Sequence, residues 1–307
     1  MDRMIPAPEE APAVSVVVPC RGQARELRAC LEGLSTQATP APFEIVLVDS
    51  AADQTVAETA ASLPGVRLVR SPSGLLPGSA RNLGVRHARG RWIAFIDADC
   101  IPEGGWLAAA VAALEAGARM VTGPVLDTLP LHPIASTDNA LQFADFLPRR
   151  RNGPVTHCPG CNLAVVRAVL DELGGFPEAL PIGEDTALSS AAAARWPDEV
   201  VFVRDMRVRH RGRVQLGAFR EHQERFGLYR ARLASHLRPH DLRLGRSAPG
   251  AALISGRRLA YIALRTLRWR PATGPRMIVF LPVFLVGLAA WARGFRAGCR
   301  EMAGGTA

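Results

Sequence analysis

Apolar and polar residues alternate along the first hundred positions in two rhythms. Val14-Ser15-Val16-Val17-Val18, closed by Pro19, is a β-branched run suited to a buried strand. Leu27, Leu31 and Leu34 then recur at spacings of four and three, which predicts a helix. Phe43–Val48 predicts a second strand ending at Asp49, residues 52–63 a helix, and Val66–Val69 a short strand. Residues 79–89 form another amphipathic stretch, and Arg91–Ile96 is a strand running straight into Asp97. Strands alternating with helices predict an α/β fold with a mostly parallel sheet and helices on both faces. Ligands in such sheets sit beyond the carboxyl ends of the strands. Those ends carry Pro19-Cys20-Arg21, Asp49 and Asp97-Ala98-Asp99.

The rhythm changes beyond about residue 213. Leu216, Phe219, Phe226, Leu233 and Leu237 fall near helical spacing over 215–237, with Arg220, Arg225, Arg230 and Arg232 between them. Residues 277–292 carry no charge and are flanked by Arg276 and Arg293. As one helix they would span roughly 24 Å, short of a hydrocarbon core of about 30 Å. A short spanning helix, a re-entrant segment, an interfacial anchor and a packed core or dimer helix all fit that length. The chain therefore divides into a Pro-rich flexible leader (1–13), an α/β domain (14–240) and a basic, apolar helical appendage (241–307).

Composition narrows the chemistry. With 307 residues, 48% apolar and 21% charged, the chain has material for a large core, and disorder over most of it is excluded. All 37 basic residues are Arg, so a lysine P-loop and a lysine Schiff base are both ruled out. No G-x-G-x-x-G follows the first strand, which argues against a dinucleotide site. Residues 1–200 carry a net −7 and residues 201–307 a net +16, so the C-terminal third is suited to phosphate, nucleic acid or an anionic membrane. The nucleic-acid reading leaves the acidic strand ends unexplained and is set aside. Six scattered Cys and no secretory apolar region at the start suit a reducing, cytosolic setting. Cys158-Pro159-Gly160-Cys161 has redox spacing but no thioredoxin-like context, and with His157 it supplies too few ligands for zinc.

Asp97 and Asp99, two apart at a strand end, would in extended geometry face one side roughly 7 Å apart, a spacing that suits a hard divalent cation. The segments around them resemble the family 2 glycosyltransferases. The resemblance is carried by Val14–Pro19, Val48-Asp49 with Asp53 four residues later, Gly78-Ser79-Ala80-Arg81-Asn82-Leu83-Gly84 and Gly90–Asp99. Gly160-Cys161-Asn162-Leu163-Ala164, Gly174-Gly175-Phe176 and Gly183-Glu184-Asp185 continue it in the family's order, over about residues 14–212.

The resemblance implies a GT-A, Rossmann-like fold and a nucleotide-sugar donor, with a UDP-sugar expected first. It implies that Pro19, Arg21, Asp49, Arg81 and Asp97 bind the nucleotide sugar, with Asp49 on the base and Arg81 near the diphosphate. Asp97 and Asp99 would hold Mn or Mg, with His210 completing the site. Asp185 would be the catalytic base, with Glu184 beside it. One base and no protein nucleophile imply inversion. Each residue also has a purely structural explanation: Asp49 as a turn or helix cap, Arg81 paired with a surface acid, Glu184 and Asp185 favoured at a helix N-terminus, His210 as a core histidine. The turn Ser50-Ala51-Ala52 lacks the family's second Asp and Gly. Gln223-Glu224-Arg225-Phe226 falls short of the Gln-x-x-Arg-Trp motif of processive members, so one sugar per event is expected. The implied protein works at the cytoplasmic face of the cell membrane in cell-envelope or glycolipid assembly. Its acceptor would be a hydroxyl, on a polyprenyl-linked or glycolipid molecule if the tail meets a bilayer. An inactive nucleotide-sugar-binding scaffold and a metal-dependent nucleotidyltransferase are the alternatives.

Overall fold

The computed structural model describes residues 11–22, 24–72, 74–233 and 239–304. Most of the expected leader (1–10) and the end of the expected 215–237 helix (234–237) lie outside the described residues. The chain begins β1 (Val14–Cys20), α1 (Ala24–Ser35), β2 (Phe43–Asp49), α2 (Gln54–Ala61), β3 (Val66–Arg70), α3 (Pro77–His87) and β4 (Trp92–Phe95). It continues with β5 (Cys100–Pro102), α4 (Trp106–Glu115), β6 (Met120–Thr122), β7 (Val125–Asp127), α5 (Pro133–Phe143), β8 (Gly153–Pro154), β9 (Leu163–Val166) and α6 (Arg167–Leu173). After α7 (Glu184–Arg195), β10 (Val200–Phe202) and β11 (Val208–His210) come α8 (Leu216–Arg232), α9 (Pro239–Gly245), α10 (Ala248–Trp269), α11 (Gly274–Val279) and α12 (Leu281–Gly304).

Two compact units result, and they are not the segments 14–240 and 241–307 read from composition. The first comprises residues up to Pro124 together with Arg151–Arg209; the second is Val125–Arg150 with His210–Ala307. The α/β unit holds a sheet of order β3-β2-β1-β4-β9-β6-β10-β8. Its first four strands are parallel, as expected; β9 runs antiparallel to both β4 and β6, so the sheet is mixed. Val16, Val17, Val18 and Ile93–Ile96 are fully enclosed, which is why these strands read as unbroken apolar runs. Helix α3 lies against β1 and β2 at Gly84, where a Cβ would stand 2.3 Å from Val17 Cγ1.

In the helical unit, α8 and α12 pack backbone to backbone. A Cβ on Gly294 would reach the Glu224 carbonyl oxygen, and one on Gly227 the Trp291 carbonyl. Phe219, Phe284 and Leu288 fill one core with Leu141 and Ile262; Trp291, Phe295 and Cys299 fill another with Ala231. The uncharged run 277–292 is not one helix. It breaks at Phe280 between α11 and α12, which meet at 81°. Among the described residues no single helix is long and apolar enough to cross a membrane; only this bent pair has the length and composition.

Gly84→Ala inserts a methyl group into the contact of α3 with β1. It should destabilise the protein by about 1–3 kcal/mol, read as a lowered urea midpoint with an unchanged m-value.

Candidate active site

The parallel register brings the ends of β1 and β2 together, Cys20 facing Asp49. Both the backbone N–H and the hydroxyl of Ser50 donate to the Cys20 carbonyl at 2.9 Å, locking the turn after β2 onto β1. Asp49 is buried. Its Oδ1 accepts the Ala51 N–H at 3.1 Å, and its Oδ2 lies 3.6 Å from Arg70 Nε with no hydrogen bond of its own. Asp49 thus caps the turn, as one of its structural explanations expected, and the helix cap falls to Asp53, whose carboxylate accepts from the backbone and hydroxyl of Thr55 at the start of α2. Pro19 is half-buried at the end of β1, and Arg21 is exposed beside Gly74.

Arg81 is the centre of the acidic end of the sheet. It is buried on α3, and its Nη2 donates to Asp97 Oδ1 at 2.7 Å while its Nη1 donates to Glu184 Oε1 at 2.5 Å. The partners are thus not surface acids. Burial works against the charge, but Asp97, Glu184 and Asp185 together hold the Arg81 pKa above its ordinary value. Gly160 leaves room for the guanidinium, since a Cβ there would stand 2.7 Å from Nη2. The Gly160 N–H donates to Asp185 Oδ2 at 2.7 Å, and the Thr186 N–H to Asp185 Oδ1 at 2.6 Å. Glu184 and Asp185 open α7 after Gly183, whose φ of 89° is left-handed. Glu184 is buried and Asp185 half-buried. Burial, then the charge of Asp185, push the Glu184 pKa up to about 7 against the pull of Arg81.

Asp97 and Asp99 do not lie in an extended strand. Strand β4 ends at Phe95, and the Cys100 N–H donates to the Asp97 carbonyl at 2.9 Å, closing a tight turn that holds both aspartates. The flat-strand spacing is therefore lost, although both side chains stay half-buried at the strand end. His210 belongs to the helical unit. Its Nδ1 lies 2.5 Å from Asn139 Oδ1 and its ring meets Phe143 edge-on, the setting of a packed histidine of that unit. Among the described residues no group of three or more His, Cys, Asp or Glu is placed to hold a metal. Cys158 and Cys161 are buried and form no disulfide with each other.

Two asparagines that sequence motifs contained without a role hold the site in shape. Buried Asn162 accepts from Trp106 Nε1 at 2.8 Å and donates to the carbonyls of Pro124 and Met206. Asn82 accepts the Phe176 N–H and donates to the Phe176 carbonyl, each at 2.9 Å, clamping the turn Gly174-Gly175. For Asn162 the available signal was an amide opening the apolar strand β9; Asn82, inside α3 and 94 positions from Phe176, had none.

A mixed sheet with a nucleotide-type parallel half and acidic strand ends defines a GT-A fold. The profile of glycosyl transferase family 2 matches residues 15–174, just over half of the chain, and the chain belongs to that family. The glycosyltransferase AglE of Haloferax volcanii is 26% identical over 57% of this chain and 59% of its own length, so the chain spans less than two thirds of that relative. An uncharacterized glycosyltransferase of Mycobacterium tuberculosis is 32% identical over 60% of this chain and 81% of its own length. The mannosyltransferase PcManGT from Pyrobaculum calidifontis, solved with GDP-Man and Mn2+, shares the fold at 19% identity and a TM-score of 0.60, covering 96% of this chain and 89% of that one.

The raised Glu184 pKa makes a signed prediction. The folded chain retains a proton that the unfolded chain releases near pH 4.5, so this group's contribution is fully present below that pH and is lost as pH rises through about 7. Relative to Glu184→Gln, the parent should lose about 1–3 kcal/mol of stability between pH 4.5 and 8, measured by urea unfolding at each pH.

Proposed function

We propose that the chain is an inverting glycosyltransferase that moves one sugar from a nucleoside diphosphate sugar to a hydroxyl acceptor. The observation that carries this reading is half-buried Asp185 beside the ion-paired group of buried Arg81 and Glu184 with half-buried Asp97, at the carboxyl ends of the parallel strands. Asp185, held by the Gly160 and Thr186 amides, takes the proton from the attacking hydroxyl. Glu184, enclosed and bonded to Arg81, positions that guanidinium and does not reach the acceptor. Asp49, with a carboxylate oxygen that lacks a hydrogen bond, receives an N–H of the nucleotide base. Arg81 lies where the departing diphosphate needs positive charge.

Asp97 and Asp99 would hold Mn or Mg through their carboxylate oxygens, which suit a hard cation. Such an ion supplies Lewis-acid neutralisation of the leaving diphosphate. PcManGT was solved with GDP-Man and Mn2+, so GDP-mannose stands beside UDP-sugars among the donors to try.

The reading extends to work at the cytoplasmic face of the cell membrane, on a polyprenyl-linked or glycolipid acceptor. What supports it is the elbow of α11 and α12. Ile278 is 76% exposed, Val279 72% and Leu264 of α10 66%, in a unit with 20 Arg against 7 Asp and Glu. Exposed apolar side chains in a strongly basic unit suit an anionic bilayer interface.

Asp185→Asn keeps the shape and removes the basicity. Donor affinity by calorimetry should stay within a few-fold, while transfer of the glycosyl group to an acceptor hydroxyl, read as acceptor-dependent release of nucleoside diphosphate, falls by roughly 10²–10⁴. Unchanged turnover would move the base elsewhere, and a protein inert with every nucleotide sugar would favour the scaffold reading. For the membrane, the triple change Ile278→Glu, Val279→Glu and Leu285→Glu should abolish flotation of the full chain with anionic vesicles while leaving its circular dichroism unaltered. Flotation equal to the parent's would remove the elbow from the interface.

A further inference from the structure

The segment between β8 and β9 is fastened to α7 by hydrogen bonds that lie wholly within the α/β unit. The buried Cys158 N–H donates to Ser189 Oγ at 2.9 Å, and the Gly160 N–H donates to Asp185 Oδ2 at 2.7 Å. Ser189 is fully enclosed on α7. Its hydroxyl has one proton, and the nearest acceptor is the Asp185 carbonyl at 2.6 Å, one turn back along the helix; the Cys158 carbonyl is farther, at 3.4 Å. Donation goes to Asp185, which leaves a lone pair for the Cys158 N–H. A serine that bonds the carbonyl four positions back is ordinary in a helix and by itself carries no function. The bond arriving from Cys158 is different, because it joins the start of α7 to a separate piece of chain.

Gly160 occupies a turn closed by the Asn162 N–H, which donates to the Pro159 carbonyl at 3.0 Å. Downstream, that turn is held by the Asn162 side chain on Trp106 and on the Pro124 and Met206 carbonyls, and by the Thr122 hydroxyl, which donates to the Asn162 carbonyl at 2.7 Å. Upstream, it is held by Cys158 on Ser189 and, farther back, by the Val155 N–H on the Val200 carbonyl at 2.9 Å. Asp185 is met on both oxygens. The Thr186 N–H, 2.6 Å from Oδ1, belongs to the same helix and moves with it. Among the described residues, the Gly160 N–H supplies the hydrogen bond that reaches this carboxylate from outside α7, so it fixes the direction of the carboxylate relative to its surroundings. A base has to stand within hydrogen-bond reach of the proton it takes, and a misplacement of about 1 Å is enough to slow a reaction roughly a hundredfold.

We propose that Ser189 is a positioning residue for Asp185: its hydroxyl sets the 159–162 turn against the start of α7, and the turn presents the Gly160 amide that aims the carboxylate. This rests on the reading of Asp185 as the base. Without the hydroxyl, the enclosed Cys158 N–H loses its acceptor and the segment shifts to find another. The Gly160 amide shifts with it, and Asp185 is left with the bonds of its own helix.

The test uses the full chain with Ser189→Ala, Asp185→Asn and the two combined. Alanine is the best helix former, so α7 persists. Amide hydrogen exchange, read by NMR on glycine-labelled protein, needs no substrate. In Ser189→Ala the Gly160 N–H should exchange about tenfold faster, while Gly84 of α3 and Gly90, whose N–H donates to Ser15 Oγ, exchange as in the parent. A general loss of stability would quicken all three together. Release of nucleoside diphosphate from GDP-mannose and from a UDP-sugar, with water as acceptor, supplies the second readout. Ser189→Ala should lower kcat about tenfold with the donor KM held within about a factor of two, and should cost nothing further in the Asp185→Asn background. Gly160 exchange equal to the parent's, acceleration shared by Gly84 and Gly90, or a loss of kcat that adds fully to that of Asp185→Asn overturns the positioning role. Asp185→Asn as active as the parent, with Gly160 exchange still quickened in Ser189→Ala, overturns the base reading and leaves the tie between Ser189 and Gly160 standing.

Discussion

A guanidinium enclosed by protein is costly unless carboxylates meet it, and Arg81 is met by Asp97 from the turn after β4 and by Glu184 from the first turn of α7. That one side chain therefore ties three separately folded pieces, α3, the β4 turn and α7, to a common point. The tie constrains its surroundings. Residue 160 must lack a Cβ to admit the guanidinium, and Gly78 lets α3 approach the Pro177 carbonyl closely. Removing either carboxylate would leave a buried charge half-compensated, which in other proteins costs about 3–5 kcal/mol.

The same tie bears on ligand binding. Under the glycosyl-transfer reading, an incoming diphosphate brings negative charge to the place where Arg81 is already committed to carboxylates. In the free protein Arg81 is neutralised by Asp97 and Glu184. Glu184, its pKa pushed up to about 7 by burial and by Asp185 against the pull of Arg81, gives up its proton less readily than an exposed carboxyl. Asp185 differs from it in exposure and in its two amide hydrogen bonds. Adjacent acids at one helix start thus have different surroundings, one enclosed against Arg81 and one half-buried on two amides.

Legibility in the sequence followed the length of each periodic run. Strands β1, β2 and β4 are apolar runs of four to seven residues, and their order with α1, α2 and α3 was readable from position 14 to Asp97. Strands β5, β6, β7, β8, β10 and β11 have two or three residues each, too few for any period, so the antiparallel insertion of β9 was invisible. At the site, acids at strand ends pointed to chemistry, but the partner of Arg81 lies 103 positions away on a helix start, a pairing no local pattern encodes. The Asp97–Asp99 geometry failed for a local reason: the strand stops at Phe95 and a turn follows. The uncharged run 277–292 hid a sharp bend, because Pro282 sits just inside the start of α12, where a proline suits a helix start and cannot continue the one before it.

Charge is divided between the units more sharply than between the halves of the sequence. The α/β unit carries 17 Arg against 21 acids, the helical unit 20 against 7. With no lysine in the chain, nearly all of that positive charge is guanidinium, which stays protonated across physiological pH and is weakly hydrated. The helical unit therefore cannot shed its excess by titration; its charge is met by its own six paired acids, by water, or by anions from outside. In the α/β unit the reverse holds: acids outnumber arginines, and at the ends of the strands an internal arginine restrains them. One unit carries an excess of guanidinium and the other holds carboxylates close together, a division that follows from where the arginines fall in the fold and not from the overall charge of +9.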